Sequence, residues 1–588
     1  MPHPLLEEAW RLHRAGDHAG AVGLYESVLR SEPDNFDALH LLGLLHGQNG
    51  RFEQAQFFTG QAAKLRPFSA EVLFLRSFAL TKLDRIEEAL SCLDAVLAIN
   101  PALMEALQNR ASLLFRLRRY EEAAQCFGQI LSRDPAFAFA RGNRLFARLQ
   151  NCDWREFDTE RDAILAGIAS GARIIAPFQA KALGLTPEQE LRCTRIWTAS
   201  EYRPRPPLCH GEVRAHERIR VAYVSADFRE HAVARLMAGV FEHHDRSRFE
   251  TIAVSFGPDD GSEMRARLMR SFDRFFDVRS QSEGDIARLI HGLEVDIAVD
   301  LMGYTEGCRP GVFALRPAPL QVNFLGFPGT MAADFMDYLI ADAIVVPAGE
   351  ERHYAEKIVT LPDTFLPADC RRAVAPQIPS RAGQGVPESG FVFCCFNAGY
   401  KIAPVLFDIW MRLLACLPES VLWLGQANGS AQQNLRREAQ SRSVSPERLI
   451  FAPFVDSAAA HLARLKLADL FLDTPPYHAH ATAIDALSVG LPILTCRGPA
   501  FAGRVGVSLL HAAGVPELVA ETLADYENLA LSLAREPARL AMVRTKLAAS
   551  PGLPPFDIAR FTRHLEAAYA AMWNRHRNGR PPAGFAVP

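Results

Sequence analysis

The stretch "DTPPYHAHATAID" (473–485) concentrates side chains able to do chemistry. His478 and His480 stand in an H-x-H arrangement, and in an extended segment both rings point the same way, offering two ligands to a metal. A metal site would need a third ligand, and the sequence offers no acidic or histidine cluster at ligand spacing. The same letters fit an anion site. A helix starting near Thr482 would aim its first N–H groups and its positive dipole end at a phosphate. The Thr482 hydroxyl and the His480 imidazole could both donate to that phosphate. Asp485, one turn further on, would accept from the two hydroxyls of a ribose. A nucleoside diphosphate satisfies all three, and a plain structural use of the histidines remains the bland alternative.

Other stretches place candidates beside this one. Lys401 follows an apolar run and an "NAGY" turn, so it can set an ammonium at a strand end, where a fixed cation stabilises a leaving diphosphate. A solvated surface lysine is the default for such a residue taken alone. His461 and Arg464, at i and i+3 after "FAPFVD", would face the same cleft, although that spacing equally describes an ordinary helix surface. Cys394 and Cys395 are adjacent in an apolar run and read as buried strand packing rather than reactive thiols.

These residues need elements to position them. "RIRVAYVSADF" (218–228), "FETIAVSFG" (249–257) and "VDIAVDLMGY" (295–304) read as buried strands separated by helical patterns. A second series runs through "GFVFCCFNAGYKI" (390–402), "SVLWLG" (420–425), "RLIFAPF" (448–454), "DLFLDT" (469–474) and "LPILTC" (491–496). Strands alternating with helices imply parallel βαβ units. The economical architecture is two Rossmann-like halves, 218–385 and 386–588, the latter carrying a C-terminal helix. Ligands of such sheets sit at the carboxyl ends of the strands, where "SADFREH", "NAGYK", "PFVDSAAAH" and "DTPPYHAHATAID" all fall. No G-x-G-x-x-G follows the first strand and no G-x-x-x-x-G-K-[ST] occurs, which disfavours dinucleotide oxidoreductases and P-loop NTPases.

Ahead of these halves the chain repeats. Prolines at 33, 67, 101 and 135 and alanines at 21, 55, 89 and 123 each recur every 34 residues. Small residues Ala9, Gly43, Ser77 and Ala111 keep the same step, so that two helices can approach closely. This is the tetratricopeptide pattern, four repeats within 1–150, whose concave face binds extended peptides. Asn109 and Asn143, again 34 apart, would project onto that face and grip an acceptor backbone, or else are simply solvated. Residues 151–217 lose the period and read as a helical linker region ending in the Pro-rich "SEYRPRPPLCHGEVRAHE".

Bulk properties narrow the classes. At 588 residues the chain exceeds one core, and three to four folding units are expected. A net charge of -3 advertises no polyanion-binding surface, so no nucleic-acid partner is expected. There is no signal-peptide pattern at the N-terminus and no apolar run long enough for a membrane span. Eleven scattered cysteines without a C-x-x-C pair suit reduced thiols in a cytoplasm.

With these residues assembled, the chain resembles the protein O-linked N-acetylglucosaminyltransferases, bacterial forms included, and their SPINDLY-type relatives. The resemblance rests on "RVAYVSADFREH", "LMGYTEGCRPGVFALRPAPLQVNFLGFPGT", "CCFNAGYKI", "DLFLDTPPYHAHATAIDALSVGLPILT" and "GRVGVSLL", and covers the repeats and nearly everything from 218 to 582. It implies an all-α tetratricopeptide superhelix followed by an α/β GT-B region. It implies metal-free, inverting transfer of a sugar, best read as GlcNAc from UDP-GlcNAc, to Ser or Thr of a protein held on the repeats. By resemblance His231 is the active-site histidine that orients or deprotonates the acceptor, and Lys401 stabilises the departing diphosphate. His461 and Arg464 belong to the nucleotide pocket, His480 and Thr482 to the diphosphate, and Asp485 to the ribose. Three departures stand out. Ala481 replaces the first of two threonines, Ala398 and Gly399 stand where the family favours an amide, and only four repeats are clear. Relatives using GDP-fucose, or CMP-nonulosonic acids on flagellins, keep the donor open, and a non-catalytic scaffold is the rival class.

Overall fold

The computed structural model describes residues 4–369, 371–455, 457–548 and 552–588. The chain forms two compact units, Met1–Arg148 and Leu149–Pro588, fewer than its length suggested.

In the first unit, eight helices form four pairs. These are Pro4–Ala15 with His18–Ser31, Phe36–Gln48 with Phe52–Leu65, Ala70–Lys82 with Ile86–Ile99, and Met104–Arg116 with Tyr120–Arg133. Polar caps start several of them: Asp17, Asn35 and Ser69 accept from backbone N–H groups of the first turn. The recurrent prolines fall in the turns after each pair, where no N–H is needed. The recurrent small residues are buried, and a Cβ on Gly43 would lie 2.7 Å from Thr59 Cγ2. Close helix packing thus accounts for the repeated small letters. Asn109 is exposed on Met104–Arg116, while Asn143 is half-buried on the following helix, Ala140–Gln150.

The second unit begins with helices Phe157–Ser170 and Pro187–Glu201 and an extended connector. Its strands are β1 (Ile219–Ser225), β2 (Phe249–Ser255), β3 (Arg274–Asp277), β4 (Ile297–Asp300), β5 (Leu320–Asn323), β6 (Tyr338–Asp342) and β7 (Lys357–Leu361). They continue as β8 (Val392–Cys395), β9 (Val421–Leu424), β10 (Leu449–Phe451), β11 (Leu470–Leu472), β12 (Ile493–Cys496), β13 (Val519–Ala520) and β14 (Phe585–Ala586). Two parallel sheets result, ordered β14-β7-β6-β5-β4-β1-β2-β3 and β10-β9-β8-β11-β12-β13. Half of the strands, the central ones above all, are buried along their whole length, as parallel strands covered on both faces must be.

Two differences from the sequence reading have clear causes. Strand β5 was hidden by polar letters: Gln321 and Asn323 are fully buried, their amides donating to Phe313 O at 3.0 Å and Gly329 O at 3.1 Å. The division at 386–588 also fails at its end, because β14 pairs with β7 and the helix Ile558–Arg577 packs on Ala232–His243 of the first half. The buried stripe of that helix, Phe561, Leu565, Ala568, Tyr569 and Met572, drives the return. Glu566 fixes it, accepting from His244 Nδ1 at 3.0 Å and Asp245 N at 2.7 Å.

Nor does 151–217 stand apart from the sheets: its helices belong to the second unit. Lys181 Nζ donates to Glu190 Oε2 at 2.6 Å in the interior, and Thr198 Oγ1 sits 2.6 Å from Tyr304 OH. Among the described residues no helix is long and apolar enough to cross a membrane.

Candidate functional site

A cavity of about 440 Å³ opens at the carboxyl ends of β1, β8 and β11. His231, Lys401, His480 and Thr482 line it together, with Asp227, Asn397, Tyr400 and Tyr477.

Lys401 ends the tight turn Gly399–Lys401. Its Nζ donates to His478 O at 2.9 Å and lies 3.8 Å from the centre of the Tyr477 ring. Burial lowers its pKa to about 8, against the opposing pull of Asp473. This is no solvated surface lysine; it is a pre-positioned cation.

His480 caps the helix Ala481–Ser488, which starts one residue before the expected Thr482. The first bonds of that helix run from Ala483 and Ile484 to His480 O, so the N–H groups of 481 and 482 have no partner within it. Burial keeps the His480 imidazole neutral, its pKa far below the ordinary value. Its Nε2 is buried without a hydrogen-bond partner among the described residues. Thr482 differs from expectation. Its hydroxyl donates to Asn397 Oδ1 at 2.6 Å, not outward, and Asn397 Nδ2 in turn donates to Thr474 Oγ1 at 2.7 Å.

His478 is structural. Gly506 N donates to its Nδ1 at 3.1 Å, which leaves the proton on Nε2, 2.9 Å from Cys496 O. Both nitrogens of this fully buried ring therefore serve the backbone, and the pair of histidines is not a metal clamp. Among the described residues no cluster of three metal-ligating side chains occurs.

His231 caps Ala232–His243, with Nδ1 accepting from Val233 N at 3.3 Å. Asp227 Oδ2 lies 3.3 Å from the same nitrogen. Burial, aided by Arg229 and Arg235, pushes His231 down to about 4, while burial pushes Asp227 up to about 6. The ring is neutral near pH 7, and its Nδ1 meets both Val233 N and Asp227 Oδ2.

The other three candidates form a second group along the same helix. Arg464 Nη1 donates to Pro453 O at 2.6 Å, and its Nε and Nη2 reach His461 Nδ1 at 3.1 and 2.9 Å. His461 therefore presents Nε2 to Asp485 Oδ2 at 3.7 Å. Asp485 Oδ1 receives Arg372 Nη1 at 2.5 Å. Thr482 and Asp485, one turn apart on Ala481–Ser488, connect this group to the cavity. Asp456 lies outside the described residues.

Asp227, Asn397, Tyr477 and Arg372 escaped the sequence reading. The first three stand inside motifs already singled out, but no spacing rule marks them. Arg372 lies in an irregular crossover with no period at all.

The family model described as Glycosyl transferase family 41 matches residues 204–378 and 372–565. A tetratricopeptide repeat model matches 104–137, and one for the anaphase-promoting complex, cyclosome, subunit 3 matches 15–96. A probable UDP-N-acetylglucosamine–peptide N-acetylglucosaminyltransferase, SEC, of Arabidopsis thaliana is 34% identical over 70% of this chain and 44% of its own length. The corresponding transferase of Caenorhabditis elegans is 29% identical over 64% of this chain and 43% of its own. The chain thus spans less than half the length of these curated relatives. The solved structure of a mutant O-GlcNAc transferase from Thermobaculum terrenum superposes with a TM-score of 0.60 at 28% identity, covering 98% of both chains. With more than half its residues matched to that one model, the chain belongs to glycosyl transferase family 41.

Proposed function

We propose that the chain is a protein O-glycosyltransferase that moves a sugar, best read as GlcNAc from UDP-GlcNAc, to Ser or Thr hydroxyls. The observation that carries this reading is the convergence of Lys401, His480 and a helix N-terminus on one cavity with His231. The acceptor oxygen attacks the anomeric carbon as the bond to the diphosphate breaks, inverting that carbon. Negative charge accumulates on the leaving diphosphate, where Lys401, His480 and the N–H groups of 481 and 482 receive it. No metal is needed for this. His231 orients the acceptor hydroxyl, whose proton passes to water. The four repeats hold the acceptor protein, with Asn109 and Asn143 gripping its backbone, and the unpaired thiols of the described cysteines suit a cytoplasm.

One observation favours a second donor. Ala481 carries no hydroxyl and that of Thr482 is committed to Asn397, so the phosphate site is poorer in hydroxyl donors than a two-threonine site. A GDP-fucose or CMP-nonulosonate donor is the alternative. A thermal-shift screen against UDP-GlcNAc, GDP-fucose and CMP-nonulosonate separates them, since ligand at 100 Kd stabilises by about 2.7 kcal/mol. Stabilisation by none of the three would leave the scaffold reading in place.

A pH dependence follows from the same groups. Only protonated Lys401 can receive the leaving group, and its pKa is about 8 in the free protein. The kcat/KM is therefore expected to be full below that value and to fall roughly tenfold per pH unit above it. On the acid side, protonation of Asp227 near pH 6 changes the His231 contact and sets the other limb. An alkaline limb that persists unchanged when Lys401 is replaced by Arg would assign it to another group.

A further inference from the structure

The crossover between the two sheets contributes Arg372, which nothing in the sequence marked. Its side chain is only 9% exposed, and Nη1 is spent on Asp485 Oδ1. Nη2 of the same guanidinium is buried with no hydrogen-bond partner among the described residues. A buried, unpaired N–H of a charged group is expensive to maintain. His480 Nε2 is orphaned in the same way at the head of the same helix, Ala481–Ser488. A buried, unpaired guanidinium N–H beside a carboxylate, with an unpartnered imidazole nitrogen at the head of the carboxylate's helix, describes a site that expects oxygen from a ligand.

We infer that Arg372 belongs to the donor site: Nη1 holds Asp485 in place, and Nη2 donates to a ribose hydroxyl oxygen of the bound nucleotide. This rests on the nucleotide-sugar reading above. A ribose diol suits the pair because each hydroxyl both donates and accepts, giving its proton to Asp485 and receiving one from Arg372. The guanidinium fork is essential to this role. A lysine could keep the charge beside Asp485, yet a single ammonium cannot serve both partners in the fork's planar geometry.

The test is calorimetric titration of the full chain with UDP and with 2′,3′-dideoxyuridine diphosphate. Wild type and Arg372→Lys are compared, each checked for an unchanged melting profile, with Arg372→Met as a second variant. Arg372→Lys is expected to bind UDP roughly ten- to hundredfold more weakly, the effect of one lost charged hydrogen bond. Its binding of the dideoxy analogue should match wild type, and its donor KM should rise while kcat holds. A purely structural arginine would weaken both ligands alike, and that result overturns the inference, as would UDP binding within twofold of wild type. Wild-type protein that binds UDP, GDP and CMP not at all would instead sink the nucleotide-sugar reading itself, and this inference with it.

Discussion

Lys401→Met is expected to abolish most transfer while leaving the protein folded. An ammonium has three N–H donors. One goes to His478 O and the Tyr477 ring faces the group, so the lysine is held in place while keeping donor capacity for the leaving diphosphate. Holding a buried cation without a carboxylate in hydrogen-bond contact costs desolvation energy, which is why its pKa falls to about 8. The anion that builds up in the transition state offsets that cost at the moment of reaction. Loss of one such preorganised charge costs about 2–4 kcal/mol, or roughly 30- to 1000-fold in rate. Methionine fills similar volume without the charge, so the melting profile should stay within a few degrees of wild type. A variant with intact folding and a wild-type rate would remove Lys401 from the chemistry.

The second large effect is structural. Lys181→Met should destabilise the second unit by about 3–5 kcal/mol, because it strands a buried carboxylate. Lys181 and Glu190 have side chains 2% and 8% exposed, and the ammonium also lies 4.8 Å from the Phe327 ring. It occupies the space above Gly329 of "FPGT", where a Cβ would come within 2.6 Å of Nζ and where φ is +145°. That glycine is required both by conformation and by room. The double variant Lys181→Met, Glu190→Gln leaves neither position charged and should recover much of the loss. Denaturant unfolding of both variants checks this. A single variant as stable as wild type, or a double variant worse than the single, would show that the pair is not a unit.

Much of this was legible in the residues because it depends on local period. The 34-residue spacing of Pro33, Pro67, Pro101 and Pro135 defines a helix pair, and such pairs contact only their neighbours. Strands β1, β8 and β11 are largely apolar runs, and a loop after such a run lies at the ligand-bearing end of a parallel sheet. The helix start after His480 could be placed to within one residue. Non-local facts were not legible. Nothing in "LQVN" tells that Gln321 and Asn323 find backbone carbonyls to bond, and so can be buried. Nothing in the last thirty residues tells that they return to the first sheet.

The opening pair of histidines shows where the boundary lies. Sequence alone determined that His478, His480, Thr482 and Asp485 gather at one strand end, because backbone geometry over a few residues settles that. Only the tertiary structure decided what each does. Gly506 and Cys496, distant in the chain, consume both nitrogens of His478. Asn397 takes the hydroxyl proton of Thr482, and Arg372 takes an oxygen of Asp485. His480 Nε2 alone of these is left unpartnered. A side chain's role depends on which donors and acceptors remain free after folding, and those partners come from anywhere in the chain.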